Sequence, residues 1–313
     1  MQKKAAVRRQ SFLKKLSKNK MLLLLLLPGT LYLLLNNYLP MFGTIIAFKD
    51  FDYQKGILGS EWNGFANFEY LFKTPDAWVI TRNTVLYNAV FIVLNTIVAV
   101  AVAIGLNELR NRIMAKFYQS VMFLPYFLSM IIVGYLGLSL LSQEFGYINK
   151  NVLEPLGLSP VAWYAEPKYW TYILPLVNLW KNIGYLSVIY LAAIIGIDNE
   201  YYEAALIDGA SKWQQTRRIT FPLIMPVITI MTLLAVGKIF NSDFGLFFQV
   251  PLDAGALYPV TQTIDTYVYR ALLRIGDLGM SSAAGVYQAV VGFVLVLSSN
   301  WIVRKINKEN ALF

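Results

Sequence analysis

Six stretches of this chain are each about twenty residues or longer and almost free of charge, at about 21–47, 83–106, 117–141, 169–196, 221–240 and 283–303. A helix rises about 1.5 Å per residue, so each is long enough to cross the roughly 30 Å hydrocarbon core of a bilayer. In lipid the backbone satisfies its own N–H and C=O groups only as a helix or a closed barrel, and strand signals are poor. The expected fold is therefore all-α, a polytopic membrane helix bundle with about six transmembrane helices. Composition agrees: 57% of the 313 residues are hydrophobic and 14% charged, against about a quarter charged in a soluble domain.

The sequence has no cysteine and no histidine. That excludes disulfides, thiol nucleophiles, Cys/His zinc sites and Ser-His-Asp triads. No G-x-x-x-x-G-K-[ST] phosphate loop is present, and no soluble stretch is large enough for an enzyme. Any ATP chemistry belongs to another chain. The formal charge of +9 suggests nucleic acid at first sight, but the distribution of the basic residues speaks for membrane topology instead.

Residues 1–20 form a basic arm with Lys3, Lys4, Arg8, Arg9, Lys14, Lys15, Lys18 and Lys20. The apolar run that follows has no small-residue cleavage site, so it reads as an uncleaved first span bent near its ends by Pro28 and Pro40. The short connectors 107–116 and 198–218 carry Arg110, Arg112, Lys116, Lys212, Arg217 and Arg218, and the tail carries Arg304, Lys305 and Lys308. The loops 48–82, 142–168 and 241–282 mix both signs. The positive-inside rule then places both termini and both connectors in the cytoplasm. The arm is expected to set orientation and to attract anionic lipid. The long, aromatic-rich outer loops suggest a surface that docks a partner. Pro125, Pro175 and Pro226 lie inside spans, where a proline frees a carbonyl and kinks the helix, either in packing or beside a cavity.

The connector before the fifth span holds more than a turn requires. It reads Glu203-Ala204-Ala205, three residues, Gly209, nine residues, then Ile219-Thr220-Phe221-Pro222. Ala204 and Ala205 are small enough for close approach of a partner, Gly209 tolerates positive φ, and Pro222 suits the first turn of a span. This pattern resembles the cytoplasmic EAA loop of binding-protein-dependent ABC importer permeases, with Phe221 where leucine is usual. The runs Tyr38-Leu39-Pro40-Met41-Phe42-Gly43, Gly56-Ile57-Leu58-Gly59-Ser60, Phe123-Leu124-Pro125, Trp180-Lys181-Asn182-Ile183-Gly184 and Ile264-Asp265-Thr266-Tyr267 extend the resemblance over nearly the whole chain, toward the permeases of polysaccharide-derived oligosaccharides. Asn199 stands where that family often has proline.

The resemblance implies a type I importer half: a permease domain over 21–313 with its core at about 83–303 and a coupling loop at 198–222. It implies a second homologous permease subunit, two ATPase subunits that hold ATP and Mg, and an extracellular or periplasmic solute-binding protein. No cofactor on this chain is implied. Glu203, Ala204, Ala205, Asp208, Gly209, Ile219, Phe221 and Pro222 would contact or shape the ATPase junction, Glu203 by offering a carboxylate to a basic residue. The expected location is the cytoplasmic membrane of a prokaryote.

Lys181 lies about 18 Å along its span, near mid-bilayer, where a cation costs about 2.5–3.5 kcal/mol on insertion scales. With Asn178, Asn182 and Tyr185 it forms one polar stripe: either a wet wall that bonds glycan hydroxyls, or a structural pairing with a carboxylate or carbonyl of another helix. Lys238 falls about 25 Å along the fifth span, where it can snorkel outward. Asn241, Asp243 and Phe244 follow, suited to an outer mouth that meets sugars. Two other classes are weighed. An ion-coupled secondary sugar transporter would use Lys181 and Asp243, but intramembrane carboxylates are scarce and no inverted halves appear. A membrane enzyme acting on lipid-linked sugars lacks paired carboxylates and a metal cluster.

Overall fold

The computed structural model describes residues 19–306, so all but the end of the basic arm, and Lys308 in the tail, lie outside the described residues. The fold is helical, with five helices long and apolar enough to span a membrane and a sixth span made of a bent pair. We label the spans α1 (Lys20–Phe48), α3 (Pro75–Glu108), the pair α4 (Arg112–Phe127) and α5 (Met130–Leu141), α6 (Pro167–Ile195) and α8 (Lys212–Val236). The last is α11 (Leu278–Ile306). Shorter helices are α2 (Ala66–Lys73), α7 (Asn199–Ile207), α9 (Phe244–Gln249) and α10 (Ile264–Arg270).

The centre is the parallel pair α3 and α6. On α3 a stripe through Tyr87, Phe91, Ala99, Ala103 and Leu106 is buried, and on α6 a matching stripe through Trp170, Leu174, Ser187, Tyr190 and Ile194. This is the three-to-four-residue spacing of one helix face. At one end the stripes pack with Val133 of α5, Leu246 and Phe247 of α9 and Val250 just after it; at the other, with Ile224 of α8. A third cluster joins Leu71, Ile80, Phe240, Ile264, Tyr267 and Ala284 of the loop-bearing end. The opposite end gathers the connectors: Lys212 pairs with Glu108 at 3.3 Å. By contrast α1 buries nothing before Ile46 and Ala47, where its final turn meets α11.

On the loop-bearing side a two-residue antiparallel ladder pairs Lys49 with Trp62 and Asp50 with Glu61. The buried Lys49 ammonium donates to the carbonyls of Ile57, Leu58 and Ser60, closing a hook over 49–62. Arg270 and Asp253, both nearly inaccessible, form an ion pair at 2.6 Å that ties the loop before α10 to the last residue of that helix. The buried Asn149 side chain accepts from Val161 N and Trp163 Nε1 and donates to Ser142 O, organising the 142–165 loop. Burial pushes the Tyr164 phenol in this loop up to about 12, so it stays neutral.

Three expectations change. The third span is not one helix over 117–141: α4 and α5 meet at 98°. Pro125 has no N–H to continue the ladder, Leu128 and Ser129 are extended, and Ser129 Oγ accepts from Ile132 N to start α5. The fifth span does not begin near Phe221. A capping box between Ser211 and Gln214 starts it at Lys212. Pro222 is therefore ten residues inside a continuous helix (212 to 222), just past the π turn Thr216–Thr220, where Phe221 N already reaches back to Thr216 O. The widened turn accommodates the missing donor. That span also stops at Val236, so Lys238 sits exposed in the turn that follows, not within a helix.

Candidate coupling segment and pathway

The candidate coupling segment is two helices joined by a bend. Asp198 caps α7 by accepting from Glu200 N. At the other end Gly209 adopts φ +77°, Ala210 N donates to Ala205 O at 2.8 Å and Gly209 N to Leu206 O at 3.0 Å. This pair of bonds is a Schellman stop, which needs a left-handed residue where Gly209 stands. Two residues later the Ser211 capping box starts α8. The buried Gln215 amide donates back to Ala210 O, and Tyr202 and Thr220 share a hydroxyl bond of 2.9 Å. The bend is thus rigid although no residue of α7 is buried.

The predicted coupling residues separate into three places. Ala205, Asp208, Gly209 and Ile219 line one hollow of about 350 Å³ inside the bend, with Arg218 across from them. Glu203 and Ala204 are exposed on α7, and Glu203 has no ion pair among the described residues. Phe221 lines an apolar groove of about 470 Å³ between α3 and α8 with Trp213, Ile97 and Ile228, and Pro222 is exposed beside it. Tyr201, Leu206, Ile207 and Trp213 are also exposed. Sequence reading passed over these four because each looks like an ordinary apolar residue until its burial is known.

The polar stripe on α6 divides. Asn178 is buried, and its Oδ1 accepts from Asn95 Nδ2 of α3 at 2.8 Å. Its place is the central helix pair, away from any open surface. Asn182 donates to Asn178 O within its own helix. Lys181 Nζ donates to the carbonyls of Pro125, Tyr126 and Leu128 at 3.3, 3.1 and 2.5 Å. They lie where α4 ends and its last carbonyls run short of helical donors, Pro125 O also accepting from Leu128 N at 3.2 Å, and a cation at a helix C-terminus meets the negative end of its dipole. The carbonyl pairing is the alternative that the geometry shows. Tyr185 is partly exposed and stacks on Tyr126, with ring centroids 4.8 Å apart and planes within 12°. Tyr126 was not singled out from sequence, although its neighbour Pro125 marked the place.

Asn241, Asp243 and Phe244 lie at a second interruption, between α8 and α9. Asp243 caps α9 by accepting from Leu246 N. Phe244 stacks on Phe248 at 4.8 Å and leans on Tyr269 at 4.9 Å. Asn88 of α3 donates to the carbonyls of Ile239 and Asn241. The group that holds this interruption is Asp265 of α10. Its Oδ2 accepts from Ser242 N and Ser242 Oγ, both at 2.7 Å, and from Gln288 Nε2 at 3.1 Å. No group of His, Cys, Asp or Glu arranged to hold a metal is found among the described residues.

Residues 95–308 match the family model for the binding-protein-dependent transport system inner membrane component. The chain is 35% identical over 302 residues to the polygalacturonan/rhamnogalacturonan transport system permease protein YteP of Bacillus subtilis, covering 96% of this chain and 93% of that protein. Its fold superposes with a TM-score of 0.85, at 32% identity, on a chain of a bacterial ABC transporter involved in the import of the acidic polysaccharide alginate, covering 94% of this chain and 98% of the other. A second structure, of the bacterial alginate ABC transporter in complex with an alginate pentasaccharide-bound periplasmic protein, matches with TM-score 0.85 at 31% identity, covering 95% and 98%. The family match spans residues 199–222, both interruptions and all spans from α4 onward. The chain belongs to the binding-protein-dependent transport system inner membrane components, the non-catalytic permease subunits of ATP-driven ABC importers.

Proposed function

We propose that this subunit carries oligosaccharide fragments of a polysaccharide across the cytoplasmic membrane of a prokaryote, with α7 and the bend at Gly209 receiving the stroke of a separate pair of ATPase subunits. ATP and Mg reside on those subunits, a second homologous permease completes the pathway, and a solute-binding protein outside the membrane delivers the sugar. Both termini and both basic connectors face the cytoplasm.

The observation that carries this reading is α7 itself. It buries no residue in its own chain, yet it displays Tyr201, Leu206 and Ile207. Covering a leucine or isoleucine is favourable by about 1.5–3 kcal/mol, so the helix is built to be gripped. Glu203 and Ala204 lie on the same free helix and complete the docking surface. The Schellman stop and the capping box make the bend stiff, which a rigid-body transmission requires.

Polysaccharide fragments as cargo are supported by the relatives, whose names specify polygalacturonan/rhamnogalacturonan and alginate. Along the pathway Tyr185 and Asn182 near mid-membrane, and Asn241, Asp243 and Phe244 near the outer mouth, offer ring faces for sugar C–H groups and polar groups for hydroxyls. Lys181 is left out of that set because its three N–H groups are already bonded to carbonyls.

Gly209→Val tests the reading. No atom lies within 4 Å of a Cβ built at Gly209, so the first side-chain atom there meets no neighbour. It does meet the backbone: a non-glycine residue in the left-handed region costs about 1–2 kcal/mol, and the bend should reset. The expected result is a permease that inserts and assembles but whose complex loses hydrolysis stimulated by sugar-loaded binding protein. Normal coupled uptake in this variant would refute the assignment. Offering the complex oligogalacturonates, alginate oligomers and neutral glucans in parallel then identifies the cargo.

A further inference from the structure

The Trp180–Gly184 run contributes more than a polar residue in a span. Within one turn and a half of α6, three contacts reach the end of α4. Lys181 Nζ bonds the carbonyls of Pro125, Tyr126 and Leu128. Gly184 brings its backbone so close to α4 that an added Cβ would run into Met122 O and Phe123 Cα. Tyr185 stacks on Tyr126. The first contact is directional, the second is steric and the third is broad. Together they leave the end of α4 little freedom to rotate or slide on α6.

From Lys181, α6 continues unbroken to Ile195, about 21 Å further at 1.5 Å per residue. Only residues 196–198 separate it from α7. On the other side of the contact, Leu128 and Ser129 are the extended residues about which α4 and α5 diverge by 98°. A helix that carries the coupling segment at one end therefore holds a two-residue hinge near its middle.

We propose that Lys181 is a positioning residue that locks α4 onto α6, so that displacement of α7 reaches the hinge at Leu128–Ser129 as one rigid movement. The inference rests on the importer reading above, since that reading supplies the displacement. An ammonium suits the task because its three N–H groups match three carbonyls. A helix end capped only through solvent or its own last turn would hold its shape without following α6.

The test uses the full complex, with partner permease, ATPase subunits and binding protein, reconstituted in liposomes. In Lys181→Met, stimulation of ATP hydrolysis by loaded binding protein should fall by about tenfold, within the ordinary range of coupling between sites, while unstimulated hydrolysis persists. Lys181→Arg, which keeps charge and donors, should recover part of it. Equal stimulation and uptake in Lys181→Met and the unaltered protein would overturn the clamp.

A second arm needs no change at Lys181. Gln119 of α4 and Val188 of α6 line one groove, and the chain has no native cysteine. Gln119→Cys with Val188→Cys, bridged by a bis-thiol reagent that spans the groove, should import as well as the unbridged pair if the two helices move together. Loss of uptake on bridging would show that they slide, and the clamp would fall even if Lys181→Met did not assemble. An unaltered complex that ignores loaded binding protein would instead sink the importer reading itself.

Discussion

Among the described residues, the break between α4 and α5 and the break between α8 and α9 are held by charges of opposite sign. At the end of α4 an ammonium from α6 collects three carbonyls. Beyond α8 a carboxylate from α10 collects an N–H and a hydroxyl of Ser242 and the Gln288 amide. Each solution follows from which backbone groups an interruption frees: carbonyls where a helix stops, N–H groups where the chain starts again. Their anchors differ more than their chemistry. Lys181 belongs to the helix that leads into the coupling segment. Asp265 belongs to the first turn of a short helix on the loop-bearing side, among Thr263, Thr266 and Thr84. One interruption is thus held by the helix that leads into α7 and the other from the loop-bearing end. A protein that alternates its openings has use for both.

The contrast can be broken at either site. The largest effect is expected from Gly184→Leu, because the neighbours of the missing Cβ are the backbone of Met122 and Phe123, which cannot yield as a flexible side chain would. Overpacking here should cost about 3 kcal/mol and lower the unfolding temperature in detergent together with complex assembly. A variant of native stability would show that α4 and α6 are not pressed together.

Next, Asp265→Ala leaves the Ser242 N–H without its acceptor, a loss of about 2–3 kcal/mol for a partly buried donor, while the Gln288 amide keeps its bond to Phe240 O. Hydrogen exchange should quicken at 239–246 and remain unchanged at 122–130. Faster exchange at both interruptions would mean that they are one cooperative unit, and the comparison would collapse.

The smallest effect belongs to the Asn95–Asn178 bond at the centre of α3 and α6. A double-mutant cycle with alanine should give a coupling of about 0.6 kcal/mol, the ordinary value for a hydrogen bond between membrane helices. A coupling near zero would remove Asn178 from the helix interface and return it to the candidates for the sugar path.

What could be read in advance followed from local chemistry. The spans are long apolar runs, and the bend at Gly209 is written in residues 198–222, where a cap, a glycine and a capping box lie within a few positions of one another. The break in the third span was harder. Phe123-Leu124-Pro125-Tyr126-Phe127 is as apolar as the helices around it, and proline alone does not distinguish a kink from a 98° turn. The partners of Lys181 are 53 to 56 residues away in sequence, so only the packing of α4 on α6 decides between a wet wall and a carbonyl cap. Asp265 was concealed for the same reason: it lies in a long mixed-charge loop, and its partners come from α11 and from the break between α8 and α9. The start of α8 was misplaced because Pro222 looks like a first-turn residue until the π turn before it is seen.

The coupling role of α7 is open to one direct measurement. A photo-crosslinking residue placed at Ile207, which is 87% exposed, would be activated in membranes that are actively importing sugar. The account predicts a covalent product with a companion ATPase subunit, whose yield changes when ATP is withdrawn. Sustained uptake with no such product, while a probe elsewhere on the chain does reach the ATPase, would contradict it.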